Sequence, residues 1–166
     1  MMALGIDAAT RTGWALVSSD LGRETLVEHN TLELGGRNAW EWVDWLVQHC
    51  RGQLQPSIVA VECPWLGKDP HALEVLARLC GRFEQAFEAA GARVIVVKAQ
   101  QWQCAALSGL MNRTSKRVQR KRAAKLWCRA TFGVDLCEDE ADAACIATWA
   151  IRQAQAKRCG LPSALG

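Results

Sequence analysis

No apolar run in the 166 residues approaches the ~18 needed to cross a bilayer, so no membrane span is expected. No basic segment and long apolar stretch precede the first strand-like pattern, and the reading is of a soluble, cytoplasmic protein without a leader. None of the eight cysteines (50, 63, 80, 104, 128, 137, 145, 159) forms a Cys-x-x-Cys pair, and His29, His49 and His71 share no ligand spacing. A structural zinc site is therefore not expected; the cysteines are expected to be reduced, core-type residues. Repeats, low-complexity tracts and linkers are also missing, which leaves one domain over 1–166. Its 50% hydrophobic content is enough for a single core.

What is present is unevenly distributed. Between Arg113 and Arg129 there are eight basic residues and no acid, whereas the other twelve bases face all seventeen acids. The chain is mildly acidic outside one concentrated basic segment, which suggests a polyanion partner. A solvated basic helix face is the plainer alternative.

Residues 3–7, 14–19 and 25–34 read as three strands in a meander, followed by a helix over 38–51 with Trp42, Val43, Trp45, Leu46, Val47 and Cys50 at helical spacing. Residues 57–62 form a short apolar run of buried-strand type that ends in Glu62. Asp69-Pro70 is a helix start, because Asp caps free amides and proline suits the first helical position. The helix it opens carries Leu73, Leu76, Leu79, Cys80, Phe83 and Phe87. Residues 93–97 read as a fifth strand, with helices over about 100–107, 115–131 and 139–157. This order implies an α/β fold, a five-stranded mixed sheet with helices on both faces, and it resembles the ribonuclease H-like arrangement.

Asp7 ends the first strand and Glu62 the fourth, so parallel neighbours would bring both carboxylates to one carboxyl edge. Asp139 and Asp142 stand three apart at a helix start and share a face. Acids in a first helical turn are favoured by the free amides alone, which accounts for Glu138, Asp139 and Glu140. Asp142 lies beyond that turn, beside Ala143, Ile146, Ala147 and Ala150, small enough for a close approach to the sheet. Converging carboxylates repel unless a cation sits among them, and hard oxygen ligands select Mg²⁺ or Mn²⁺. Two such ions about 4 Å apart can drive phosphodiester hydrolysis without a histidine or cysteine nucleophile.

Gly5-Ile6-Asp7 with Thr12-Gly13-Trp14, Val61-Glu62-Cys63-Pro64, the helix through Gly81, and Asp139-Glu140-Ala141-Asp142-Ala143 with Ala147 together resemble the RuvC-type Holliday junction resolvases, especially the short phage-like members. The resemblance implies a homodimeric, Mg²⁺-dependent endonuclease, with two ions per active site, that cuts four-way DNA junctions by paired nicks. It matches Asp7, Glu62, Asp139 and Asp142 to the metal-binding, catalytic acids, and Lys121 to a catalytic lysine near the scissile phosphate. Trp65 takes the offset of an aromatic that stacks on an unpaired base. Lys68, Arg113, Lys116, Arg117, Arg120, Lys121 and Lys125 are the DNA-binding candidates. Arg117, Lys121 and Lys125 share one helix face toward phosphates while Val118, Leu126 and Ala130 pack inward. The helix from Pro70 to Ala90 matches a dimer helix. Two departures stand out: Ala8-Ala9 replaces a proline and glycine of many relatives, and the segment around Gln100 to Gln103 lacks a lysine, for which Lys98 is the candidate substitute.

Three other readings stay open. A Gly-Ile-Asp strand before a Thr-Gly turn also describes the phosphate loop of sugar kinases and actin-like ATPases, but these bind nucleotide between two such domains, so no nucleotide cofactor is expected here. A ribonuclease H-like nuclease acting on ribosomal RNA or another branched or single-stranded nucleic acid shares the first strand pattern. A catalytically inactive binding module is the third.

Overall fold

Side-chain parity along the strands divides the molecule into two cores. The computed structural model describes residues 1–33, 39–52, 54–64, 69–111 and 115–159. In β1 (Met2–Asp7), Ala3 faces one core while Leu4 and Ile6 face the other. The same alternation runs through β2 (Arg11–Asp20), where Ala15 and Val17 oppose Trp14 and Leu16, and through β4 (Ile58–Glu62), where Ile58 and Ala60 oppose Val59 and Val61. With β3 (Arg23–Glu33) and β5 (Arg93–Val97) the sheet has the order β3-β2-β1-β4-β5. Pairing is antiparallel from β1 through β2 to β3 and parallel from β1 through β4 to β5. The β2–β3 hairpin closes on Leu21 and Gly22, both at positive φ (48° and 82°), as a two-residue turn between right-twisted strands requires.

Helices α1 (Ala39–Arg51) and α2 (Pro70–Ala89) cover the face with the bulky residues, whereas α3 (Ala99–Ala106), α4 (Arg117–Phe132) and α5 (Glu138–Arg158) cover the other. Asp69 caps α2 as its sequence predicts, accepting from the amides of His71 (3.0 Å) and Ala72 (3.3 Å). Helices α3, α4 and α5 start with the reverse contact: the amides of Lys98, Lys116 and Cys137 donate to the side chains of Gln101, Gln119 and Glu140. No described helix is long and apolar enough to cross a membrane.

Several packing expectations change. On α1 the inward face is Val43, Leu46, Val47 and Cys50, while Trp42 and Trp45 stay 39% and 41% exposed and Trp45 stacks on His49 with ring centroids 4.9 Å apart. On α2 only Leu79, Cys80, Phe83 and Phe87 are buried; Leu73 and Leu76 are half-buried, because the helix runs past its cover at the amino end. On α4 the expected inward residues face out: Val118 is 78% and Leu126 50% exposed, and Ala130 is exposed too. Ala123, Ala124 and Cys128 pack inward instead, since the narrow gap to α5 admits only small side chains. Four cysteines (Cys50, Cys80, Cys128, Cys145) are buried, but Cys104 and Cys159 are exposed.

Candidate active site

The α5 helix lies unusually close to the strands, and glycine is the reason. A Cβ at Gly5 would run into the backbone of Ala143 and Ala147, and one at Gly13 into the backbone of Asp139. This contact brings the first turns of α5 over the carboxyl end of β1. There, Ile6 pairs with Val61, so Asp7 and Glu62 follow at neighbouring positions. Their parity, the same as that of Ala3 and of Ala60, directs both carboxylates to the α5 side.

The lysine that completes the cluster comes from α4. Lys121 Nζ stands 2.6 Å from Asp142 Oδ2, 3.3 Å from Asp139 Oδ1 and 3.6 Å from Asp7 Oδ2. Arg11, from the start of β2, adds a contact to Asp139 at 3.4 Å. The fourth acid, Glu62, accepts a hydrogen bond from the indole Nε1 of Trp102 at 2.6 Å. Among the described residues no three acidic side chains form a ready-made metal cage; the Lys121 ammonium stands between them instead.

The electrostatics follow from burial. Desolvation pushes Glu62 up to about 8, with the Asp7 charge adding to it and the Trp102 hydrogen bond opposing it. Asp142 rises to about 7 for the same first reason, even though Lys121 pulls the other way. Asp7 is raised as well by desolvation, against the pull of Lys121. For Lys121, burial disfavours the ammonium, but Asp142, Asp7 and Asp139 outweigh that and hold it protonated. The cluster is short of positive charge. Oxygen donors in such a setting can bind a hard cation or hold protons.

No protein-family model matches the chain, and no curated protein matches it by sequence. Solved structures do match. RuvC from Thermus thermophilus, solved with a Holliday junction substrate, aligns with a TM-score of 0.73 at 20% identity, covering 96% of each chain. The chain has the RuvC fold. The yeast mitochondrial Holliday junction resolvase aligns with a TM-score of 0.62 at 14% identity, over 94% of this chain and 80% of the other. The fowlpox virus resolvase, solved with Holliday junction DNA, gives 0.59 at 12%, over 89% and 95%.

Within this RuvC fold the remaining candidates separate by position. Arg117 is exposed one helical turn before Lys121, near enough for its charge to act on Asp7. Arg120 is half-buried beside Gln103 at 3.4 Å, and Lys116 and Lys125 are exposed. Trp65, Lys68 and Arg113 lie outside the described residues. Lys98 precedes α3 and is exposed, its amide engaged with Gln101. Sequence reasoning missed Trp102. The available signal was its position: α3 starts two residues after Val97, the β5 partner of Glu62, so its first turns stand over the same sheet edge.

Proposed function

We propose that this protein is a metal-dependent endonuclease, a single ribonuclease H-like domain that resolves Holliday junctions or related branched DNA by paired phosphodiester hydrolysis. The observation that carries the reading is the gathering of Asp7, Asp139 and Asp142 around one cation, with Glu62 beside them, at the carboxyl edge of a RuvC-fold sheet. The donor set fits Mg²⁺ or Mn²⁺ in chemistry: every ligand is a carboxylate, and the buried members need more positive charge before they ionise fully at neutral pH. When bound, two such ions polarise the scissile phosphate and acidify an attacking water.

The chain's own residues do the rest. Asp7, Glu62, Asp139 and Asp142 would hold the metal. Lys121, at the centre of the carboxylates, would direct its ammonium to a non-bridging oxygen of the scissile phosphate and offset the charge that develops there. Arg117, Lys116, Arg120 and Lys125 grip backbone phosphates, with Arg113 and Lys68 extending the grip on either side. Trp65 stacks on an unpaired base at the branch, which is worth roughly 1–3 kcal/mol. Two copies pair through α2, whose amino half leaves Val75 exposed and Leu73 and Leu76 only half-covered. A dimer places two such sites on one junction.

The test is cleavage of four-way, flapped and linear DNA, and of matched RNA, with Mg²⁺ or Mn²⁺. Paired nicks in the four-way substrate, lost in Asp7→Asn and Glu62→Gln, are expected. Unchanged cleavage in both variants would rule out the acid cluster as the active site, and preferential cleavage of RNA would move the protein to another substrate class. Ultracentrifugation showing only monomer under conditions of intact paired cleavage would dismiss the dimer.

A further inference from the structure

Trp102 is 1% exposed, yet its one polar atom points at the acid cluster: the indole Nε1 donates to Glu62 Oε2 at 2.6 Å. An indole can only donate and carries no titrating proton, so it offers Glu62 the same donor whether that carboxyl is charged or neutral. Its ring belongs to the core formed with Ala60, Val97, Ala106 and Leu107, which removes the freedom to turn away. The helix that carries it is anchored by the Lys98 amide on Gln101 at 3.0 Å. Glu62 is thus gripped by one oxygen from a rigid support. A carboxylate anchored in this way keeps its second oxygen for another partner, in one rotamer instead of several.

We infer that Trp102 is a positioning residue that holds the Glu62 carboxylate in the orientation required for divalent-cation binding. The inference rests on the metal reading above. Were Trp102 only a core residue, the hydrogen bond would merely satisfy its buried N–H.

Calorimetric titration of Mn²⁺ into the intact protein, Trp102→Phe, Glu62→Gln and the double variant separates these cases. The wild-type protein is expected to bind, and Trp102→Phe to bind about 10–100-fold more weakly, the range typical of lost outer contacts to metal ligands. In the Glu62→Gln background the same substitution is expected to change affinity less than 2-fold. Equal affinities of wild type and Trp102→Phe overturn the inference, as does a loss of the same size in both backgrounds, which marks general loosening. A wild-type protein that binds no Mn²⁺ overturns the metal reading and this inference together. If Trp102→Phe does not fold, ¹H–¹⁵N spectra of the wild-type protein decide: the indole signal displaced in Glu62→Ala must move during Mg²⁺ titration with the midpoint of binding. An unmoved signal overturns the inference.

Discussion

Leu4, Ile6, Trp14 and Val59 share a core with Phe83 and Phe87 on one face of the sheet, whereas Ala3, Ala15 and Ala60 share one with Ala143, Ala147 and Ala150 on the other. Large side chains hold α1 and α2 at a distance and contribute stability in proportion to the apolar area they bury. Small ones, with Gly5 and Gly13 between them, let the α5 backbone rest on the strands. Only the second arrangement brings carboxylates from a strand and a helix within reach of one lysine, with Glu62 of the neighbouring strand beside them. The difference teaches that the face carrying the carboxylates gave up side-chain volume in return for closeness.

The contrast can be broken most severely at Gly5. Gly5→Val forces a side chain into the α5 backbone and is expected to cost more than about 4 kcal/mol, or to prevent folding. Gly81→Ala on α2, where an added methyl meets nothing, should shift stability by no more than about 1 kcal/mol, in the favourable direction. Urea midpoints measure both, and equal effects would erase the distinction between the faces. Phe83→Ala is next, expected to cost about 3–4 kcal/mol by transfer and cavity formation while leaving Mn²⁺ affinity within a factor of about two. A large loss of metal affinity there would mean that the two faces are not separable.

Lys121→Met tests the functional face from inside. It strips the cation from three carboxylates and is expected to cost about 2 kcal/mol at pH 8 in a chelator, with Mg²⁺ restoring more stability than in the wild type. Cleavage should fall even as metal binds more tightly, because the ammonium no longer competes. Weaker metal binding in this variant would contradict the competition.

The pH dependence has a definite sign. Glu62 titrates at about 8 and Asp142 at about 7 in the folded chain, above the usual carboxylate range, so the folded state binds more protons than the unfolded one between about pH 4.5 and 8. Stability from these groups is fully present below their unfolded values and is lost as pH rises through the folded ones. In a chelator, the melting temperature should therefore decline between about pH 5 and 8, less so in Glu62→Gln, and saturating Mg²⁺ should flatten the decline. A flat profile without metal would show that the buried acids are not strained. The smallest effects are expected on the outer face of α4, where Val118→Glu and Leu126→Glu should each change stability by under about 0.5 kcal/mol.

Val118 and Leu126 also mark where reading the chain stopped working. Hydrophobicity selects them for the inner face of α4, but the gap to α5 accepts Ala124 and Cys128, and the larger residues are turned outward. Spacing of four residues drifts about 40° around a helix per step. The basic stripe therefore does not stay on one surface: Lys121 enters the acid cluster while Lys125 remains in solvent. Trp42 and Trp45 show the same limit on α1, where periodicity predicts burial but the inner row is already filled by Val43, Leu46 and Val47. The strand ends were easier. Asp7 and Glu62 follow uninterrupted apolar runs, and alternation alone assigns their side.

Strand parity, the caps at Asp69 and Glu140, and the placing of acids at strand ends and at the start of α5 were determined by the sequence itself, because each depends on chain-local geometry. The tertiary structure alone decided that Lys121 sits among the carboxylates, that Trp102 grips Glu62, and that small side chains carry α4 onto α5. The Lys121 contacts alone join residues from 18 to 114 positions apart, and all of these contacts depend on how closely the helices and the sheet can approach, which is set by packed volume and backbone clearance.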